Sequence, residues 1–168
     1  MIVKVRFSTR LWNPFSIAIR LLSGSRHSHV SFLLHENLIL GSSFLGGVQF
    51  REDDGKDNRV DVRYVVVPDD SAVLSLAKSR IGRRYDYLYL LEYLVFRLSF
   101  GLISWGIEDD GRLVCQEFVL DCFKCSGIKL VNTKDIGVLT PRDLLISPLM
   151  LTKEELDEYL SREVGRVS

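Results

Sequence analysis

The sequence has few cysteines, few prolines and no excess of charge of either sign. Three cysteines among 168 residues are too few for a disulfide framework, and an odd number leaves one unpaired. A reducing compartment, the cytoplasm, is therefore expected. Four prolines and twelve glycines exclude collagen-like and low-complexity classes. The 22 basic and 22 acidic side chains balance, which argues against nucleic acid as a partner.

Long uninterrupted apolar runs are also missing. The first residues alternate apolar and basic side chains, so no secretory signal is predicted. Residues 87–107 are mostly apolar and about as long as a membrane-spanning helix. However, Glu92 and Arg97 interrupt them, and a charge at bilayer depth is costly. We expect a largely buried helix with these two charges at its rim, and a membrane-facing role is the alternative.

The remaining apolar pattern predicts a mixture of strands and helices. Alternation predicts strands at residues 2–7, 28–34, 38–40, 48–50 and 60–67. Helical spacing predicts helices at residues 14–23, 69–80, 85–100, 115–125 and 141–145, and one after the capping box that begins at Thr152. This order predicts an α+β fold with the helices segregated from the sheet. We expect one domain over residues 1–168, of which 150–168 form a C-terminal helical extension.

A polar loop is expected between residues 51 and 58. Its aspartates, Asp53, Asp54 and Asp57, do not have the spacing of an EF-hand calcium loop. We therefore expect a solvated loop and no metal site. Cys122 and Cys125 are three residues apart on one predicted helix, but no second pair of ligands lies near them in the sequence. Inert thiols are expected there.

Cys115 and His29 are the candidates for catalytic chemistry. Cys115 begins a predicted helix, where unpaired backbone N–H groups and the positive end of the dipole favour a thiolate. His29 lies in a predicted strand, and His27 points to the same face if the strand extends that far. A His within reach of this Cys makes an activated nucleophile, and the N–H groups would stabilise an oxyanion. Each residue alone also fits a purely structural role.

Five short motifs occur in one order along the chain. They are Ser28-His29-Val30, Gly46-Gly47-Val48, Gly82-Arg83-Arg84-Tyr85-Asp86, Val114-Cys115-Gln116-Glu117-Phe118-Val119 and Thr140-Pro141-Arg142-Asp143-Leu144. Together they resemble the circularly permuted branch of the NlpC-type papain-like cysteine hydrolases, in which the His strand precedes the nucleophile helix. The resemblance runs from about residue 6 to residue 145, and the opening Arg6-Phe7-Ser8-Thr9 is most similar to phage and bacterial members.

The resemblance implies a papain-like fold in which a small antiparallel sheet packs against helices. It makes Cys115 the nucleophile, His29 its base and Tyr85 a residue near the substrate and the oxyanion. Asp86 would brace the start of its helix. Gln116 stands where the family usually has Ser.

A second departure concerns the group that orients the catalytic His. The family's orienting carboxylate aligns near Gly41, so Ser42 is expected to hold the His29 ring instead. Ser43, His27 or a backbone carbonyl are the alternatives. A serine would hold the ring more weakly than a carboxylate, because it adds no charge to stabilise imidazolium.

Three functions are compatible with this resemblance. The first is a cysteine amidase or peptidase that acts on peptidoglycan stem peptides, as a phage product that reaches the cell wall by lysis or in the virion. The second is a lipid ester hydrolase or acyltransferase of the lecithin retinol acyltransferase-like type, with the apolar helix 87–100 and a basic N-terminal face toward a membrane. The third is a non-catalytic binding module with an unreactive Cys115. None requires a cofactor or a metal.

Two observations would separate these functions. An apolar groove leading to Cys115 favours an acyl substrate, and a polar cleft favours a peptide. A Cys115 thiol with an ordinary or raised pKa is what the binding module predicts.

Overall fold

The computed structural model describes residues 1–35, 37–100, 102–103, 111–132 and 139–167. In this part of the chain the strands are β1 (Ile2–Thr9), β2 (His29–Leu33), β3 (Leu38–Ser43), β4 (Gly47–Glu52) and β5 (Arg59–Val66). The helices are α1 (Pro14–Ser23), α2 (Asp70–Ser79), α3 (Tyr87–Leu98), α4 (Cys115–Cys125), α5 (Pro141–Leu145) and α6 (Lys153–Val167). The predicted α+β class is confirmed.

The strands form an antiparallel sheet in the order β4-β3-β2-β1-β5. One face of the sheet carries the apolar core, to which alternate residues of the central strands contribute. Helix α4 packs on this face, where the ring of Phe32 meets that of Phe118 edge-on at 5.5 Å between centroids. We call this the helix face of the sheet.

Local capping fixes the starts of two helices that surround the site. The Asn13 side chain accepts hydrogen bonds from the N–H groups of Phe15 and Ser16 at the start of α1. Asp86 accepts from the N–H of Tyr89 at the start of α3, so its predicted bracing role is confirmed. These short polar side chains satisfy N–H groups that have no partner within the helix.

Residues 53–58 cross the opposite face of the sheet, and we call this segment the strap. It joins β4 and β5, which are the two edge strands, so the connection must pass over the strands between them. Beneath it lies Arg6, 1% exposed, which forms ion pairs of 2.8 Å with Asp53 and with Asp57. The loop is exposed at residues 54–56 and 58, as predicted. Asp53 and Asp57 are an addition to that prediction, because the buried charge of Arg6 requires partners.

The same ion pairs correct the expected basic N-terminal face. Arg6 is buried rather than displayed, and Arg10 is paired with Asp54 and Asp57 at 2.9 Å. The acidic side chains of the strap thus neutralise basic side chains of the first strand region. The sequence placed these groups about fifty residues apart, which is why their pairing was not apparent.

Helix α3 buries its acidic residue and exposes leucines, which is the opposite of what its sequence predicts. Glu92 is only 6% exposed, whereas four leucines of the helix face solvent: Leu88, Leu91, Leu94 and Leu98. The side of the helix that carries Tyr89 and Tyr93 faces the interior, where both side chains line the cleft described below. The predicted buried helix with Glu92 at its rim is therefore wrong. Residues 101 and 104–107 of the apolar stretch lie outside the described residues.

None of the helices in the described ranges is long and apolar enough to cross a membrane. The C-terminal segment begins with contacts to the sheet, since Met150 is buried and Leu151 pairs with Tyr64 of β5. Helix α6 then adds the buried side chain of Leu156.

Candidate functional site

The site is built around the first residue of α4. Val114 is extended and Cys115 is the first helical residue, and the Glu117 carboxylate accepts a 3.5 Å hydrogen bond from the N–H of Val114. Cys115 is buried against β2, and the backbone N–H groups of Val30, Gln116 and Cys115 itself are directed at its sulfur. The sulfur therefore lies in a nest of N–H donors at a helix start, as the sequence predicts.

The Cys115 thiol is nevertheless protonated in this environment. Burial raises its pKa to about 11, and the three N–H groups offset only part of that effect. The N–H groups at the helix start lower the pKa of Cys115, as the sequence predicts, but burial raises it by more. Removing the sulfur from water disfavours its charged form more than the surrounding dipoles favour it.

His29 lies at the start of β2, on the strap side of the sheet. The strand register places it opposite Ser8, whose hydroxyl hydrogen-bonds to Asp57 of the strap. The ring leans toward β3, because its Nε2 atom is 3.7 Å from the position that a Cβ would take at Gly41. Burial, and then the positive charge of Arg51, lower the pKa of His29 to about 4. The ring is neutral at pH 7.

Cys115 and His29 lie on opposite faces of the sheet, near the end of the β2–β3 pairing. These strands pair at Phe32–Leu40 and Leu33–Ile39, and nearer His29 the N–H of Val30 points to the Cys115 sulfur instead. The sulfur lies on the helix face and the His29 ring on the strap side. The structure thus places the two residues on either side of β2, and within the described part of the chain no hydrogen bond joins the sulfur and the ring.

Gly41 explains why no carboxylate orients His29. A Cβ at this position would lie 2.8 Å from the Cβ of Ser31, a distance that real Cβ atoms essentially never show. The space beside the His29 ring is therefore too small for any side chain on this backbone. The close contact between β2 and β3 at Gly41 therefore excludes a carboxylate side chain at this position.

The residues expected to hold His29 have other partners. The buried Ser42 hydroxyl donates to the carbonyl of Leu113 at 2.5 Å, on the helix face, so Ser42 fixes the chain that leads to Cys115. Ser43 bonds to Gly47 and Gln49. The Nε2 atom of His27 lies 3.2 Å from the Asp61 carboxylate. The expectation that Ser42 orients the ring is therefore wrong.

Tyr85 and Cys115 line one narrow cleft. Its walls are mostly apolar and come from α1, α3, the start of α4 and the segment before α5: Ile19, Ser23, Tyr85, Tyr89, Leu90, Tyr93, Val114, Cys115, Gln116, Leu139, Thr140 and Pro141. The free volume is about 20 Å³, room for one water molecule. Burial raises the pKa of Tyr85 far above its usual value, with the nearby Cys115 as a second cause, so its hydroxyl remains a proton donor.

Gln116 is a site residue whose importance the sequence does not reveal. Its side-chain oxygen accepts a 3.1 Å hydrogen bond from the Cys115 thiol, and its nitrogen donates to the Leu139 carbonyl at 3.0 Å. The Tyr89 hydroxyl donates to the same carbonyl at 3.1 Å. The four-residue spacing of Tyr85, Tyr89 and Tyr93 was a signal for this wall. The partner Leu139 is too distant in sequence to be predicted.

The other two cysteines lie away from this cleft. Cys122 is buried and its pKa is raised to about 12, chiefly by burial, while Cys125 is exposed and its thiol approaches Asp121 at 3.6 Å. All three thiols are free. Within the described ranges, no three His, Cys, Asp or Glu side chains are grouped in a way that could hold a metal ion.

Comparison with known proteins gives a fold relative. No protein-family description matches the chain, and no curated protein matches it. Among solved structures, it is similar to the metalloprotein yiiX from Escherichia coli O157:H7, a DUF1105 protein, with a TM-score of 0.57 and 16% identity. The match covers 89% of this chain and 94% of that one. At this identity the likeness shows a shared fold alone.

Proposed function

We propose that this chain is a cysteine hydrolase of the permuted papain-like type, with Cys115 as nucleophile and His29 as base. The observation that carries the proposal is the convergence at one sulfur of a helix start, three N–H donors and the strand that bears His29. Such donors stabilise the charge that develops on a carbonyl oxygen during attack. The motif resemblance supports the same assignment.

The chemistry starts from a neutral pair, since burial favours the uncharged forms of both Cys115 and His29. A ring nitrogen of His29 takes the thiol proton as the sulfur attacks the carbonyl carbon. The N–H groups of Val30 and Gln116 bind the oxyanion. Imidazolium then protonates the departing amine or alcohol, leaving a thioester that water hydrolyses. This requires the His29 ring to move from the strap side to the sulfur when substrate binds, so that the catalytic hydrogen bond forms only in the substrate complex.

The lining of the cleft supports one substrate class over another. The first of the three functions predicted from the sequence expects an amide bond, as in a peptidoglycan peptide. The cleft beside Cys115 is instead lined mainly by aliphatic side chains and tyrosine rings, among them Ile19, Leu90 and Pro141. These side chains suit an acyl chain better than a charged peptide, and the cleft, with room for one water molecule, must widen to admit either. A lipid ester or another acyl-chain substrate is therefore the better-supported candidate.

Two observations bear on other functions. The raised pKa of Cys115 also fits the non-catalytic binding module, and thiol reactivity separates that alternative from an enzyme. The structural relative is described as a metalloprotein, but the described residues of this chain do not offer a metal ligand set. We therefore assign no step to a metal.

The test is hydrolysis of p-nitrophenyl butyrate and of the matching p-nitroanilide. Cys115→Ala should abolish turnover, whereas Cys122→Ala, a buried cysteine on the same helix outside the cleft, should retain it. Faster cleavage of the ester than of the anilide, growing with acyl length, supports the acyl substrate. Equal activity of the two variants would refute Cys115 as nucleophile. Inertness of both probes, with no alkylation of Cys115 by iodoacetamide, would favour the binding module.

A further inference from the structure

The outward face of α3 is a continuous apolar stripe. Leu88, Leu91, Leu94 and Leu98 recur at helical spacing and are all exposed. Most amphipathic helices turn such a stripe inward, and this one does the opposite. Such a stripe of exposed leucines is a surface suited to an apolar partner.

Aromatic residues connect this stripe to α1. The ring of Phe44 lies 4.3 Å from that of Phe15 on α1 and 5.0 Å from that of Tyr87 on α3. Phe15 and Tyr87 are about half exposed, and Trp12, just before α1, is almost fully exposed. We call the surface formed by these residues and the four leucines of α3 the apolar rim. Its members are Trp12, Phe15, Phe44, Tyr87, Leu88, Leu91, Leu94 and Leu98.

The exposed charges on α1 and α3, the two helices that carry the apolar rim, are of one sign. Helix α1 has a single charged residue, Arg20, and no acid. On α3 the one acid, Glu92, is buried, while Arg97 is exposed in the last turn. The acidic side chains of the strap form ion pairs with Arg6 and Arg10 on the other side of the sheet. The solvent-facing charge on α1 and α3 is therefore positive.

We propose that the apolar rim docks on an anionic lipid bilayer. Leucines with basic and aromatic neighbours are the composition that places a helix in the headgroup region, and Trp and Tyr favour that interface. In this arrangement α3 lies along the surface of the bilayer with its four exposed leucines toward the lipid. A second copy of the chain is the poorer occupant, because it would present the same positive charge and no acidic group from α1 or α3 to pair with it.

This docking rests on the proposed function and extends it to the source of the substrate. The cleft that contains Cys115 runs between α1 and α3, with Ile19 on one wall and Leu90 on the other. Both helices carry the apolar rim, so an acyl chain can pass from the bilayer into the cleft without crossing water. The lipid surface is thus the source of an acyl substrate.

The experiment measures binding separately from catalysis. Cys115→Ala protein is sedimented with vesicles of phosphatidylcholine alone or mixed with phosphatidylglycerol. We expect binding to the mixed vesicles that weakens as salt is added. Leu91→Ser with Leu98→Ser should weaken it about tenfold or more, given the apolar area removed. Arg97→Glu should weaken binding to the mixed vesicles in particular.

The matched control lies on α6, whose exposed surface is acidic. Leu160 and Val164 there are 40% and 73% exposed, against 49% and 66% for Leu91 and Leu98. Leu160→Ser with Val164→Ser should leave vesicle binding unchanged.

Three outcomes would overturn the proposal: no binding to mixed vesicles, an equal loss of binding in the control variant, or a dimer that the α3 changes abolish. Because the protein used is inactive, none of these outcomes bears on Cys115. With intact Cys115, hydrolysis of p-nitrophenyl butyrate should survive the α3 changes.

Discussion

The Cys115 thiol donates a 3.1 Å hydrogen bond to the side-chain oxygen of Gln116, its neighbour in sequence. The other end of that amide is held by the Leu139 carbonyl. The nucleophile proposed here is thus kept in its protonated form by an acceptor that is itself fixed. Opening the cleft near Leu139 would release the amide and admit water to the sulfur.

Replacing Gln116 should make Cys115 more reactive. Gln116→Ala removes the acceptor that stabilises the thiol form, worth about 1 kcal/mol, and lets water reach the sulfur. Both effects lower the pKa of Cys115. We expect iodoacetamide to label Cys115 about fivefold faster at pH 8, with the exposed Gln49→Ala as control. An unchanged or slower rate would show that Gln116 does not hold the thiol.

His29 should destabilise the fold in mild acid. Its pKa is lowered to about 4, whereas the unfolded value is about 6.5. Between these values the unfolded chain binds the extra proton, so stability falls as pH drops from 6.5 toward 4. The whole effect amounts to about 3 kcal/mol at most. Urea unfolding of wild type and His29→Gln should show a steeper pH dependence for the wild type in this window, and parallel curves would exclude a buried neutral His29.

The ion pairs under the strap should contribute strongly to stability. Asp57 accepts hydrogen bonds from Arg6 and Arg10, which lower its pKa to about 2 although burial opposes them. Asp57→Asn leaves the buried Arg6 without half of its charge partners and should cost about 3 kcal/mol. Asp54→Asn, at a more exposed pair with Arg10, should cost less than about 1 kcal/mol in the same urea titration. Equal costs would mean that the strap is held by something else.

Gly41 should tolerate no side chain while Ser31 faces it. In Gly41→Ala the new Cβ atom would lie 2.8 Å from the Cβ atom of Ser31, so β2 and β3 must move apart. Overpacking of this kind costs about 1–3 kcal/mol. Ser31→Gly combined with Gly41→Ala should recover most of that loss in thermal unfolding. If the double variant is no more stable than Gly41→Ala, the contact is not the cause.

Local signals in the sequence predicted the elements well. Asn13 before Pro14 and Asp86 before α3 are caps that act within one turn, so their positions are legible in the sequence. The outward turn of α3 was not predictable, because apolar residues lie on every side of that helix. The side of α3 that is buried is the side that packs against the cleft, and the sequence does not show which side that is.

The sequence predicted that Cys115 begins a helix, but it did not predict the geometry around the sulfur. The start of α4 placed Cys115 among N–H donors, but the face on which His29 lies depends on the register between β1 and β2. The partners of Ser42 and Arg6 come from residues 71 and about 50 positions away. Such long-range contacts also set the burial that raises the pKa of Cys115, which helix position alone predicted in the opposite direction.

Trapping of the acyl-enzyme is the most direct test of Cys115 as nucleophile. The protein is mixed with excess p-nitrophenyl butyrate, quenched in acid within the first turnovers and mapped by peptide mass spectrometry. Our account predicts a butyryl thioester on Cys115 and none on Cys122 or Cys125. The label should disappear in Cys115→Ala and form more slowly in His29→Ala. Hydrolysis of the ester with no label on Cys115, or an equal label on exposed Cys125, would contradict it.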